Sequence, residues 1–79
     1  MRNIDKYNEI FVKVFSVSVG DLNEEFSILN VENWDSVAQM ELITQIEDTF
    51  DIMMETDDII SLSSYEKGKE ILAKYEIEF

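Results

Sequence analysis

Neither cysteine nor histidine occurs in this chain of 79 residues, and that absence narrows the folds open to it. Domains of this size are often stapled by disulfides or by a Cys/His-bound zinc ion. Neither staple is possible here, so stability must come from packed side chains. With 46% apolar residues, one domain can build such a core, and the length does not suffice for two. Proline is absent too, and glycine occurs only at Gly20 and Gly68. That suits helices joined by polar connections better than a turn-rich sheet.

Periodicity points the same way. Ile4, Tyr7, Phe11, Val14 and Phe15 recur at three- and four-residue steps, with Ile10 beside them, which predicts an amphipathic helix over about Asn3 to Val17. Gly20 lies just beyond it and suits a stop. Residues 21 to 34 form a long connection carrying Leu22, Phe26, Ile28, Leu29, Val31 and Trp34. A connection of this length is uncommon in a compact domain unless it is packed down or functional. A second helix is expected from Asp35 or Ser36 to about Phe50, with Ser36 and Gln39 matching the reciprocal capping box. A short third helix follows at Asp57 to Ser61, capped by Thr56, with Asp57 and Asp58 in its first turn. The fourth starts at Ser63, where Ser63 and Glu66 repeat the box pattern, and turns Tyr65, Ile71, Leu72 and Tyr75 inward. Gly68 within it suggests a close helix–helix approach. The expected fold is all-α: a small antiparallel bundle of three longer helices and one short one.

On a helical wheel, Leu42, Ile43, Ile46 and Phe50 gather on one side of the second helix with Gln39 among them. Val37, Met40, Glu41, Thr44, Glu47, Asp48 and Asp51 fall opposite. A face needed only for solubility has no use for Val37 and Met40, although scattered exposed apolar residues are common. Set among carboxylates beside a serine, the pair has the makeup of a docking surface, with acidic groups orienting a basic partner around a desolvated centre.

The formal charge is −12, from 18 acidic and 6 basic residues. Between Lys13 and Lys67 there is no Lys or Arg, while 13 Asp and Glu lie in that interval. A nucleic-acid or anionic-membrane partner is disfavoured because phosphates would be repelled. A basic protein surface would be steered in. Equally, acidity can serve solubility alone. No apolar run has the length of a bilayer span, and the N-terminal charges do not resemble a secretory signal. The expectation is a cytoplasmic monomer.

Self-contained catalysis has little to work with. A serine nucleophile needs a base, ordinarily histidine, and there is none. No Gly-rich phosphate loop or G-x-S-x-G turn is present. The run from Asp48 to Asp58 lacks the spacing and central glycine of a calcium loop. The expectation is no catalytic residue, no metal site, and no enzyme: Ser36 is better read as a substrate for another protein's chemistry.

Asp35-Ser36-Val37, followed by an acidic amphipathic helix, resembles the Asp-Ser-Leu motif of acyl carrier proteins. The likeness extends through Glu41-Leu42, Glu47-Asp48, Phe50-Asp51 and Asp57-Asp58-Ile59 into the final helix from Ser63 to Tyr75. It covers about the last half of the chain, while the first helix and loop agree in length and pattern only. The resemblance implies that a phosphopantetheinyl transferase attaches 4'-phosphopantetheine from coenzyme A to Ser36. The arm would carry acyl groups as thioesters to acyl-loading and acyl-processing enzymes with basic docking surfaces, so the reactive sulfur is imported. Asp35 would help the transferase bind its magnesium, and Val37, Met40, Glu41, Glu47 and Asp48 match the partner-recognition positions. Departures are Val37 for leucine, Ala38 where an acidic residue is common, and Glu55 where proline is frequent. Trp34 before Asp35 is similar to stand-alone carriers of specialised pathways. The alternatives are an aminoacyl or peptidyl carrier, and a non-catalytic acidic interaction module that occupies basic sites.

Overall fold

The computed structural model describes all 79 residues as four α-helices and no strand: α1 (Asn3–Phe15), α2 (Ser36–Phe50), α3 (Thr56–Ser61) and α4 (Tyr65–Ala73), with a 3-10 turn at Val19–Asp21. No helix is long and apolar enough to cross a membrane.

α1 buries Tyr7, Ile10, Phe11 and Phe15, the stripe its periodicity predicts. It ends two residues before the expected Val17. Gly20 is not its stop: Ser16 takes the left-handed conformation at φ 55°, a role that glycine fills at lower cost. The connection to α2 is packed down through Phe26 and Trp34, which are buried, and through half-buried Leu22 and Val31. Ile28 and Leu29, also expected inside, are 47% and 90% exposed.

An aromatic cluster fills this end of the domain. Phe15 and Trp34 pack tilted by 46° at 4.9 Å between ring centroids, Phe11 meets Phe26 edge-on at 5.8 Å, and Phe11 meets Tyr65 edge-on at 5.4 Å. Such pairs add about 0.5–1.5 kcal/mol each beyond their area burial. They bring the end of α1 to the start of α2, and the Asn33 side-chain amide adds a 3.4 Å bond to the Phe15 carbonyl.

α2 buries Ala38, Leu42, Ile43 and Ile46. Phe50, expected among them, is half-buried against the same core. Ala38 sits where an acidic residue was looked for, and its burial explains the small apolar side chain: a carboxylate there would lose hydration without a partner.

Two helix starts differ from the expected caps. The Ser64 hydroxyl, not Ser63, caps α4 by accepting the Lys67 N–H at 2.9 Å. The cause lies in the long connection, which bridges this segment: Ile28 N–H donates to the Ser63 carbonyl and Tyr65 N–H to the Phe26 carbonyl, both at 2.9 Å. That pairing holds residues 63–64 extended and starts the helix at Tyr65. α3 begins at Thr56 rather than Asp57. Its N-cap is Glu55, which makes no side-chain cap bond, so Thr56 is not the cap.

Candidate functional site

Three segments converge at the start of α2. Asp35 is the N-cap, with extended backbone and Oδ1 accepting the Ala38 N–H at 2.9 Å. Ser36 is therefore the first helical residue, and the Ser36–Gln39 box does not form. Tertiary partners draw the Gln39 amide away. Its Nε2 donates to the carbonyls of Ile59 and Leu62 at 2.9 and 3.0 Å, and its Oε1 accepts from Trp34 Nε1 at 2.6 Å. Each bond satisfies a group that would otherwise be desolvated without a partner, at a cost of about 1–3 kcal/mol. With Asp35 doing the capping, the hydroxyl of Ser36 is not spent on the backbone, and the residue is exposed.

The outward positions of α2 are largely where the wheel puts them. Val37 is 70% and Met40 58% exposed, and Glu41, Thr44, Asp48 and Asp51 are exposed as well. Glu47 differs. It is half-buried, and its Oε2 accepts the Met54 N–H at 2.9 Å, so it pins the α2–α3 connection as well as adding charge to the face. Asp51 ends α2 in the left-handed region at φ 54°, its N–H donating to the Glu47 carbonyl.

Two depressions flank Ser36. One, of about 680 Å³, runs along the α1–α2 seam, with Val14, Val37 and Met40 as its apolar part and Lys13, Glu41, Thr44 and Gln45 as its polar part. The other, of about 470 Å³, lies toward α3 and is bounded by Ile28, Ile59, Ile60 and Leu62 with Trp34 and Gln39. Periodicity alone did not single out Lys13, Val14, Ile59 or Ile60 as neighbours of the serine. The signal available was only that α1 must end near the start of α2.

α3 is held from its far side by Asp58, a buried carboxylate. It accepts from Lys74 Nζ at 2.5 Å and from the Tyr75 hydroxyl at 2.6 Å. The bond from Lys74, then that from Tyr75, holds the Asp58 carboxyl below the usual carboxylate range. Its partners move the other way: the bond to Asp58 raises both the Lys74 ammonium and the Tyr75 phenol. The Tyr75 oxygen also accepts the Glu55 N–H at 2.9 Å, so one side chain secures both the N-cap and the first turn of α3.

The chemistry available at the serine is that of an accessible hydroxyl beside carboxylates. No histidine exists to deprotonate it. Lys67 and Lys74 line a separate hollow beside Asp58, and of the lysines only Lys13 shares a groove with Ser36. No protein-family model matches the chain, and comparison with curated proteins and solved structures yields no match.

Proposed function

We propose that this chain is an acyl carrier protein, a four-helix carrier domain in which Ser36 receives 4'-phosphopantetheine from a phosphopantetheinyl transferase. The observation that carries the proposal is the arrangement at the start of α2. An exposed serine stands at the first helical position, released from capping by Asp35, beside exposed Val37 and Met40 and the carboxylates of Glu41 and Asp48.

The residues present fit the group. A phosphodiester on Ser36 would meet the free N–H groups and positive end of α2, which favour an anion by about 0.3–1 kcal/mol. Asp35 and Glu41 oppose part of that gain and leave the phosphate exposed to a transferase, with Asp35 available to the transferase's magnesium. When attached, the arm supplies a thiol for acyl thioesters. The chain's own residues then present it: Val37 and Met40 give a small desolvated centre, and Glu41, Asp48 and the peripheral carboxylate of Glu47 steer basic surfaces of acyl-loading and acyl-processing enzymes. Screening by salt keeps such docking weak, while tethering raises the cargo's effective concentration at each active site.

Incubation with coenzyme A and a broad-specificity transferase should add the mass of one phosphopantetheine, and Ser36→Ala should abolish the gain without altering the melt. Asp48→Lys should slow loading at unchanged helicity. Glu47→Lys should also lower stability, because it removes the acceptor of the Met54 N–H. A folded domain that gains no mass from a competent transferase overturns the carrier function and leaves an acidic interaction module in its place.

A further inference from the structure

The groove between α1 and α2 holds, beside Val37, Met40 and Glu41, a set of residues that the carrier function as proposed above does not use: Lys13, Val14, Thr44 and Gln45. From Ser36 to Gln45 it follows the helix for about 13.5 Å, at 1.5 Å per residue. Its polar and apolar groups are ordered along that path. Val14, Val37 and Met40 form an apolar patch, and Thr44 and Gln45 add a hydroxyl and an amide at the far end. Lys13 is the only basic residue in the groove. It enters none of the chain's three ion pairs, Arg2–Asp5, Glu66–Lys69 and Asp58–Lys74. In a chain of formal charge −12, an unpaired ammonium in the same groove as the proposed attachment point is the feature to explain.

We propose that this groove is the resting site of the phosphopantetheine arm, with Lys13 as the counter-ion of its phosphate. The assignment rests on the carrier function above and adds where the arm lies between encounters. The match is one of chemistry. The arm begins with a phosphodiester, continues with a branched apolar carbon, and then carries two amides. The groove provides an ammonium on its α1 side and, in order along α2, the aliphatic Val37 and Met40 and then Glu41, Thr44 and Gln45 as hydrogen-bonding partners for amides. The depression on the other side of Ser36 offers no cation. It is lined by Ile28, Ile59, Ile60 and Leu62 and by Asp35; each groove thus carries one carboxylate, Asp35 or Glu41, and only the α1–α2 groove sets a cation against it. Gln39 also lines the depression toward α3, with its amide N–H groups already bonded to the Ile59 and Leu62 carbonyls. An exposed ion pair of this kind holds a ligand weakly, by about 0.2–1 kcal/mol, which suits an arm that must leave the groove to reach partners.

The test compares backbone amide shifts of the unmodified and phosphopantetheine-loaded protein, each confirmed by intact mass. Shifts are expected at Lys13, Val14, Thr44 and Gln45, well beyond the attachment turn. In loaded Lys13→Gln, the ratio of groove-bound to free arm should fall about 1.4- to fivefold, the equivalent of that surface pair, with unchanged helicity. Shifts confined to Asp35, Ser36 and Val37, or appearing instead at Ile28, Ile59 and Ile60, would overturn the groove assignment while the mass gain leaves the carrier function standing. Failure to gain mass at all would overturn both.

Discussion

Gly68 is buried where α4 rests on Tyr7, and a Cβ there would collide with the Tyr7 hydroxyl and lie 2.9 Å from Leu62 Cδ1. The hydroxyl cannot simply retreat, because it donates to the Tyr65 carbonyl at 2.6 Å. Burial, with Tyr65 and Glu66 nearby, pushes the phenol far above its ordinary value, so it keeps its proton for that bond. Gly68→Ala should therefore destabilise by about 1–3 kcal/mol through overpacking, although alanine is the better helix former by about 1 kcal/mol. Tyr7→Phe should cost about 0.5–1.5 kcal/mol, the net worth of the lost hydrogen bond, since the Tyr65 carbonyl remains an acceptor within α4. The double variant should cost less than the two single losses combined, because the second change vacates the space the first one needs. Strict additivity in chemical denaturation would show that the two groups do not meet. This close approach was legible, since a lone glycine inside an amphipathic pattern signals contact. The role of Gln39 was not. A serine followed three residues later by glutamine spells a local cap, and only the arrival of Trp34, Ile59 and Leu62 in space reassigns the amide.

The helices themselves were readable from their apolar spacing, while their ends were misjudged wherever a distant segment intervenes. The start of α4 shifts by one residue because residues 26–28 pair with residues 63–65, a contact no local pattern encodes. The end of α1 shifts because Ser16 adopts the left-handed conformation and Gly20 is left to a later turn. A non-glycine residue pays about 1–2 kcal/mol for that conformation, offset by glycine's larger entropy loss of roughly 0.5–1 kcal/mol. Ser16→Gly should thus stabilise the domain by about 0.5–1 kcal/mol, seen as a higher melting temperature at unchanged helical content. A lower melting temperature would mean that the serine side chain contributes something the backbone geometry does not reveal. Within α2, the outward face was legible because it needs only the helical period. The grooves flanking Ser36 were not, since their second walls come from α1 in one case and from residues 28 and 59–62 in the other.

At the scale of the whole molecule, the acidic surface carries one charge that is buried and satisfied. Asp58 has its carboxyl held below the ordinary range by Lys74 and then Tyr75. Its contribution to stability is fully present above the unfolded-state value and disappears as pH falls through the lower, folded one, in the region below about pH 4. Lys74 and Tyr75 are raised, so their share is present up to about pH 10 and is lost above it. Asp58→Asn should lower the melting temperature at neutral pH and flatten the acid limb of the stability profile. An acid limb identical to that of the unaltered protein would remove Asp58 from the account. The all-α architecture was legible because apolar residues recur at three- and four-residue steps while proline is absent and glycine scarce. The Asp58 network was not, because its partners lie sixteen and seventeen residues downstream.

The bonds made by Gln39 also tie the platform bearing Ser36 to α3. Its amide grips the Trp34 indole while anchored on the Ile59 and Leu62 carbonyls. Whatever lifts α3 away therefore loosens the start of α2 as well.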